Sequence, residues 1–371
     1  MRESLSNTQR WVVKVGSALL TDDGRGLDQQ LINQLAAQIA QLRAMGMQVL
    51  VVSSGSVAAG MTQLGMQRRP DRISDLQAAA AVGQASLIRH YETAFKPHGT
   101  AIAQVLLTHA DLANRERYLN ARNTLLRLLE LGVQCVINEN DTVATEEICV
   151  GDNDSLAALA CNLVDADVLV ILTDQDGLYS ADPRLDESAQ LLHEVEAGDP
   201  ALEALAGGSS KLGRGGMVTK LSAAKIANGS GASTLIANGR SPDILSKLQK
   251  GEQLGTLFKA TKRRASKKQW MAGQMRATGS VKLDGGAVEV LANAGKSLLA
   301  VGVTAVNGDF KRGELIQCLD ENGVEIARGL SNYAAAEVQK IRGRNSSEIA
   351  EILGYAAEAE LIHRDNLVLI D

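Results

Sequence analysis

Three residues far apart in the chain have the types that transfer of a phosphoryl group needs: two lysines and an aspartate. Lys14 lies in the apolar run "RWVVKVG", just before Gly16-Ser17. A lysine near the carboxyl end of a first parallel strand faces the crevice where such sheets bind ligands, and a Gly-Ser turn lets backbone N–H groups approach an anion. The plain structural alternative is a strand-end lysine whose head escapes to water. Lys220 follows "GGSSKLGRGGMVTKL", in which five glycines fall between Gly207 and Gly216. There a glycine-rich segment opens a helix near Met217, so that Met217, Val218, Thr219 and Lys220 sit at an N-terminus suited to phosphate. It is not a P-loop, since no Lys-Ser/Thr follows the second glycine directly. "AGKSLL" looks like the end of that motif, but Val290 stands where its upstream glycine would be.

Asp154 belongs to "INENDTVATEEICVGDNDSLAAL" (Ile137 to Leu159), with three Asp, three Glu and no basic residue. Asp152, Asn153 and Asp154 are natural N-cap and first-turn residues. Capping explains one of them; it does not explain three in a row, nor Asp141 upstream. A carboxylate between Lys14 and Lys220 would hold both heads in place and keep them charged. Asn138 and Asp141 leave a strand in the same stretch. Ser53, Ser54, Gly55 and Ser56 form a donor-rich turn after another strand, and alone could be a simple helix cap. Thr173 and Asp174, in "LTDQDGLYSADPR", end a further strand and suit a nucleotide-contacting loop, or an Asx turn. Together these residues describe catalysis by positioning and charge neutralisation. Mg²⁺ would arrive with the nucleotide, held mainly by its phosphates, with no metal site built by the protein.

The elements that must position these residues are visible in the pattern. "RWVVKVG", "MQVLVVS", "TAIAQVLLT", "VQCVINE", "DVLVILT" and "ASTLIAN" are mostly continuous apolar runs, as in strands buried on both faces. Helical patterns lie between them at Leu27 to Met45, Ser74 to Phe95, Asn114 to Leu131, Asp152 to Val164 and Met217 to Asn228. Successive βα units of this kind predict a three-layer αβα sandwich with a mainly parallel sheet. After "TKRRASKK" (Thr261 to Lys268) the texture changes to short strand-and-turn pieces, with Asn-Gly at Asn307 and Asn322. The expected organisation is residues 1–260 as an α/β domain, 261–272 as a basic linker and 273–371 as a small, mostly β domain.

The quoted motifs, with "SSGSVAAG", "AAVGQASLI" and "ERYLNARNTL", resemble the amino acid kinase superfamily, and within it the branch that phosphorylates glutamate. The likeness runs nearly the whole length, and the C-terminal part resembles a PUA domain. It implies ATP-dependent phosphorylation of the γ-carboxylate of L-glutamate, the first step of proline biosynthesis. Carried over by position, Lys14 and Lys220 would stabilise the transferring phosphoryl group and Asp154 would organise them. Ser54, Gly55, Asn138, Asp141, Asp152 and Asn153 would bind glutamate. Lys14, Gly16, Ser17, Thr173, Asp174, Arg214, Gly215, Gly216, Met217, Val218, Thr219 and Lys220 would contact ATP. Arg214 stands where many relatives carry a small residue. The resemblance further implies feedback inhibition by proline and a homo-oligomer, a dimer or tetramer. The substrate ammonium would be the cation that the acidic stretch awaits, with Asp141 receiving it. The γ-carboxylate is already ionised at neutral pH and needs no general base.

Composition narrows the alternatives. A net charge of −5 gives no general footprint for nucleic acid, and residues 273–371 hold ten basic against fourteen acidic residues, which disfavours RNA binding by the C-terminal part. An aspartate or N-acetylglutamate kinase is the nearer rival; the acidic stretch favours a substrate with a free amine, which N-acetylglutamate lacks. Cys135, Cys149, Cys161 and Cys318 form no C-x-x-C pair and read as core thiols in a reducing cytoplasm. No signal-peptide pattern or membrane-spanning run is expected.

Overall fold

Alternation along one central strand decides the layout of the site. In β1 (Arg10–Val15), Trp11, Val13 and Val15 point to one face of the sheet, and Val12 and Lys14 to the other. The first face is apolar throughout. Trp11, Val13 and Val15 join Val49, Val51, Val168, Val170 and Leu172 in one cluster with Leu35, Ile39, Leu87, Phe95 and Leu245. Lys14 is thus excluded from that core and committed to the opposite face.

The computed structural model describes residues 2–21, 26–144, 153–205, 216–260, 277–355 and 358–370. The basic segment Thr261 to Lys268 and the expected linker, together with Cys149, Asp152, Arg214 and Gly215, lie outside the described residues. Two compact units are present: Met1–Leu112 with Arg122–Arg263, and Ala113–Ala121 with Arg264–Asp371.

In the first unit β1 is followed by β2 (Gln48–Ser53), β3 (Ile102–Leu107), β4 (Gln134–Glu139), β5 (Val168–Thr173), β6 (Glu194–Glu196), β7 (Ser233–Asn238) and β8 (Thr256–Lys259). They form one eight-stranded sheet in the order β3-β4-β2-β1-β5-β7-β8-β6. All neighbours run parallel except β7 and β8, which are antiparallel. The chain adds strands to one side of β1, then crosses to the other at β5. The carboxyl ends of β1, β2 and β5 therefore meet at a topological switch point, where open α/β sheets leave a crevice.

The helices of this unit are α1 (Ser17–Leu20), α2 (Gln29–Ala44), α3 (Ser56–Gln63), α4 (Ile73–Phe95), α5 (His109–Ala113), α6 (Arg115–Glu130, whose start groups with the second unit), α7 (Asn153–Val164), α8 (Ala201–Leu205), α9 (Met217–Gly229) and α10 (Ile244–Gln249). Helices α2, α4 and α10 pack on the Trp11 face. Helices α7 and α9 pack together on the Lys14 side. The sequence periods place the long helices within a residue or two; Asp28, whose side chain accepts from the Leu31 N–H, starts α2. Strand β3 departs from the fully buried pattern expected of it. It is the edge of the sheet and alternates between covered and open positions, because only one side has a neighbour.

Helices α3 and α4 approach backbone to backbone. A Cβ on Gly83 would lie 1.8 Å from the Ser56 carbonyl oxygen, and one on Gly60 1.7 Å from that of Ala79. Only glycine permits this contact, which seats the start of α3 against the middle of α4.

The second unit holds a five-stranded sheet, β10-β9-β11-β12-β13, built from β9 (Gly279–Leu283), β10 (Val303–Gly308), β11 (Leu315–Leu319), β12 (Glu325–Leu330) and β13 (Leu367–Leu369). It encloses its own core around Phe310, Tyr333, Val338 and Leu361. Asn322-Gly323 turns the β11–β12 hairpin, with Gly323 at φ +84°. The segment at Leu119 joins this unit through Leu315, Leu330 and Val368, which no local sequence signal marks. The molecule is therefore α/β, a three-layer sandwich on a mainly parallel sheet, with a small, mostly β C-terminal unit. Among the described residues, no helix is long and apolar enough to cross a membrane.

Candidate active site

Asp154 stands in the first turn of α7, where the helix dipole favours a carboxylate. Its Oδ1 is 2.6 Å from Lys14 Nζ and its Oδ2 is 3.1 Å from Lys220 Nζ. The Thr219 hydroxyl lies 2.8 Å from Asp154 Oδ2 and 2.8 Å from the Gly216 carbonyl, so its one proton serves either acceptor. All three charged side chains are nearly inaccessible, with 7% of each lysine and 1% of the aspartate side chain exposed. The two ammonium heads, 206 residues apart in number, thus converge on one acid at the carboxyl edge of the sheet.

Two ammonium groups share one carboxylate. Burial pushes the Asp154 carboxyl up, but the Lys14 and Lys220 ammonium groups, with hydrogen bonds from Lys14 and Thr219, outweigh it, and the group sits below the ordinary carboxylate value. Burial pulls Lys220 below the ordinary lysine value; Asp154 opposes that and Lys14 adds to it. Asp154 is therefore firmly ionised, and two ammonium groups are gathered in a poorly hydrated place that favours an incoming anion.

Around this centre the sheet edge supplies backbone donors. Gly16 follows β1, and its N–H donates to the Leu172 carbonyl at 3.2 Å. A Cβ there would lie 3.3 Å from that oxygen and 3.7 Å from Lys14 Nζ, so glycine keeps the ammonium approachable. Ser17 opens α1. Gly216 is the N-cap of α9 in an extended conformation, with no side chain capping it. Among the described residues no acceptor is recorded for the first N–H groups of Met217 and Val218, which suits them to an anion as at other helix starts. Thr173 ends β5 and donates to Asp174 Oδ1 at 3.0 Å. Neither contacts the Asp154 cluster through an observed hydrogen bond; they occupy the neighbouring strand end.

A second group of polar residues lies along the same edge. Asn153, next to Asp154, donates from Nδ2 to the Ser53 carbonyl at 3.1 Å, to Ser54 Oγ at 3.0 Å and to Asn138 Oδ1 at 2.8 Å. Asn138 Nδ2 donates to Gln84 Oε1 at 2.7 Å. Gly55 takes φ +105° between Ser54 and the start of α3, a left-handed conformation that favours glycine. Ser56 then donates to Asp141 Oδ2 at 2.9 Å. Beneath the turn, Tyr91 donates to Ser53 Oγ at 3.0 Å, and burial holds its phenol pushed up to about 12, so it stays a donor.

The structure thus brings Lys14, Asp154, Thr219 and Lys220 into one cluster, and Ser54, Gly55, Asn138, Asp141 and Asn153 into an adjoining one. Gln84 was not singled out from the sequence. It sits inside an alanine-rich helical run whose residues read as packing, and the "AAVGQASLI" motif was the only hint. Among the described residues, no group of three or more His, Cys, Asp or Glu could hold a metal ion. Cys135, Cys161 and Cys318 are free and buried, and burial raises each thiol above its ordinary value.

Residues 9–238 match the Amino acid kinase family and residues 279–353 the PUA domain. Proteins named "Glutamate 5-kinase" from Burkholderia multivorans (strain ATCC 17616 / 249), Paraburkholderia xenovorans (strain LB400) and Ralstonia nicotianae (strain ATCC BAA-1114 / GMI1000) are each 58% identical over 372 aligned positions, covering 100% of both chains. Among solved structures, UMP kinase from Bacillus anthracis aligns at 14% identity with a TM-score of 0.48, covering 69% of this chain and 97% of that one.

Proposed function

The chain belongs to the amino acid kinase family, alongside the glutamate 5-kinases it matches from end to end, and from that premise we infer that it transfers the γ-phosphoryl group of ATP to the γ-carboxylate of L-glutamate. The product is L-glutamyl 5-phosphate, the first intermediate of proline biosynthesis. The observation that carries the mechanism is Asp154 bridging Lys14 and Lys220.

A γ-carboxylate oxygen attacks the γ-phosphorus in line, a new P–O bond forms, and the bond to the ADP oxygen breaks. The nucleophile is already ionised, since a free carboxyl of this type titrates at about 4.3, so no proton has to be removed. Lys14 and Lys220 neutralise charge on the phosphoryl oxygens as it passes. Asp154 acts through them, fixing both ammonium heads before substrate arrives. The start of α9 from Gly216, the Gly16-Ser17 turn and the Thr173-Asp174 strand end hold the nucleotide, and Arg214 and Gly215 extend that set. Mg²⁺ would arrive with the nucleotide, held chiefly by its phosphates, and would supply further charge neutralisation there.

Glutamate lies along the second cluster. Asp141 takes the ammonium; Ser54, Gly55, Asn138 and Asn153 hold the rest, and the family resemblance adds Asp152 to the binding set. Proline occupies part of this ground as a feedback inhibitor, and the chain works in the cytoplasm as a homo-oligomer. Along the sequence the proposed domains are 1–260 and 273–371 with a basic connector between them, while residues 113–121 group with the second compact unit. The test is ATP turnover with glutamate, aspartate and N-acetylglutamate, trapping acyl phosphate with hydroxylamine. Hydroxamate from glutamate alone is expected; product from aspartate or N-acetylglutamate in its place would reassign the substrate. Adding proline at fixed glutamate should slow the reaction, and an unchanged rate at high proline would remove the regulatory part.

A further inference from the structure

The amide relay beside the charged cluster has a forced direction. The Ser53 carbonyl oxygen can only accept, so the Asn153 carboxamide must turn its nitrogen toward it. The same nitrogen faces Asn138 Oδ1, which obliges Asn138 to offer its own nitrogen to Gln84. Gln84 must then use its oxygen on Asn138 and point its nitrogen the other way. Rotating any one of these amides would set donor against donor or acceptor against acceptor, so the orientation follows from the backbone carbonyl at the head of the chain.

Gln84 Nε2 is buried and has no hydrogen-bond partner among the described residues. A buried donor left unmatched costs stability, and native structures rarely keep one without a use. The residue is also held firmly. Its neighbour Gly83 packs against the Ser56 carbonyl so closely that no side chain fits, which sets this part of α4 directly against the start of α3. Ser56, in turn, donates to Asp141. The unmatched N–H therefore belongs to a residue joined to Asn138 and set next to the turn in which Ser56 meets Asp141.

An amide donor selects an acceptor, which in an amino-acid substrate means a carboxylate oxygen and not the ammonium. Position chooses which carboxylate. Asn153 adjoins Asp154, where phosphoryl transfer takes place, whereas Gln84 is two amide links further along the relay. We propose that Gln84 Nε2 donates to the α-carboxylate of the amino-acid substrate, making Gln84 a substrate-positioning residue that recognises the end remote from the reaction. This rests on the reading of the chain as a glutamate-phosphorylating enzyme. The ammonium, one carbon from that carboxylate, then falls to Asp141.

The test uses the full-length wild type, Gln84→Ala and Gln84→Glu, with steady-state constants for glutamate and ATP. Inhibition constants are measured for two analogues: glutarate keeps both carboxylates and lacks the amine, while 4-aminobutyrate keeps the amine and lacks the α-carboxylate. In Gln84→Ala the KM for glutamate should rise roughly tenfold, with kcat and the KM for ATP within about threefold of wild type. The inhibition constant of glutarate should rise with it, and that of 4-aminobutyrate should stay within about twofold. Gln84→Glu keeps the length and removes the donor, so it carries the test if the alanine variant folds poorly, and it should raise the KM for glutamate further by repulsion. An unchanged KM for glutamate, or equal losses for all three ligands, would make Gln84 a structural residue and overturn the proposal. A wild type that forms no acyl phosphate from glutamate would instead overturn the activity on which it rests.

Discussion

Around Asp154 the cluster is built on charge, with the Thr219 hydroxyl beside it; along the same sheet edge, from Asn153 to Gln84, the polar groups form a neutral relay of amides. The contrast follows the chemistry each end performs. Charge is redistributed at the first end, so fixed ammonium groups are useful there. At the second end the substrate is held unchanged, and amides can be directional without adding net charge. Burial treats the two differently. Removing one partner from a buried ion cluster strands a charge, at about 3–5 kcal/mol, whereas an amide loses about 1–3 kcal/mol when left unpaired. The charged end should therefore control rate, and the neutral end should control affinity.

The largest effect expected is at the charged end. Lys220→Ala should lower kcat by at least roughly 100-fold while the KM for glutamate changes by no more than about threefold. A variant that lost only affinity in steady-state assays would erase the distinction. Asp141→Ala should do the reverse, raising the KM for glutamate about tenfold with kcat within about threefold. If Asp141→Ala struck kcat as hard as Lys220→Ala, the two clusters would be one functional unit.

The smallest effect is on stability against pH. Asp154 has a folded-state pKa below its unfolded value, so the unfolded chain binds more protons in the window between the two. Its contribution is complete above the ordinary carboxylate range and is lost as pH falls through the depressed folded value. Denaturant unfolding of Asp154→Asn should accordingly show lower stability at neutral pH and a shallower loss on acidification than wild type. Parallel curves for the two proteins would mean that the cluster does not couple to folding.

Legibility in the sequence followed the same division. Lys14 stood out because a cation interrupts an apolar strand, and Asp154 because capping could not account for all of Asp152, Asn153 and Asp154. Both are local anomalies, visible without knowing the fold. Lys220 was visible by its place after a run of glycines. Gln84 carries no such mark. Its position in α4 matters only because Gly83 lets that helix meet Ser56, and because β4 brings Asn138 alongside, both tertiary facts. The exposure of β3 was likewise hidden, since an edge strand and a central one share the same apolar run until the strand order is known. The grouping of Leu119 with Leu315 and Leu330 depends on contacts far apart in sequence, which no periodicity encodes.

The central claim is that Asp154 serves the reaction by holding Lys14 and Lys220, without itself touching the substrates. Asp154→Asn keeps the shape and removes the charge, so single-turnover phosphoryl transfer at saturating ATP and glutamate tests it most directly. The account predicts a fall in that rate of roughly 100-fold or more, with the affinities for both substrates within about threefold of wild type. A near-normal rate, or a defect cured by raising the glutamate concentration, would contradict it.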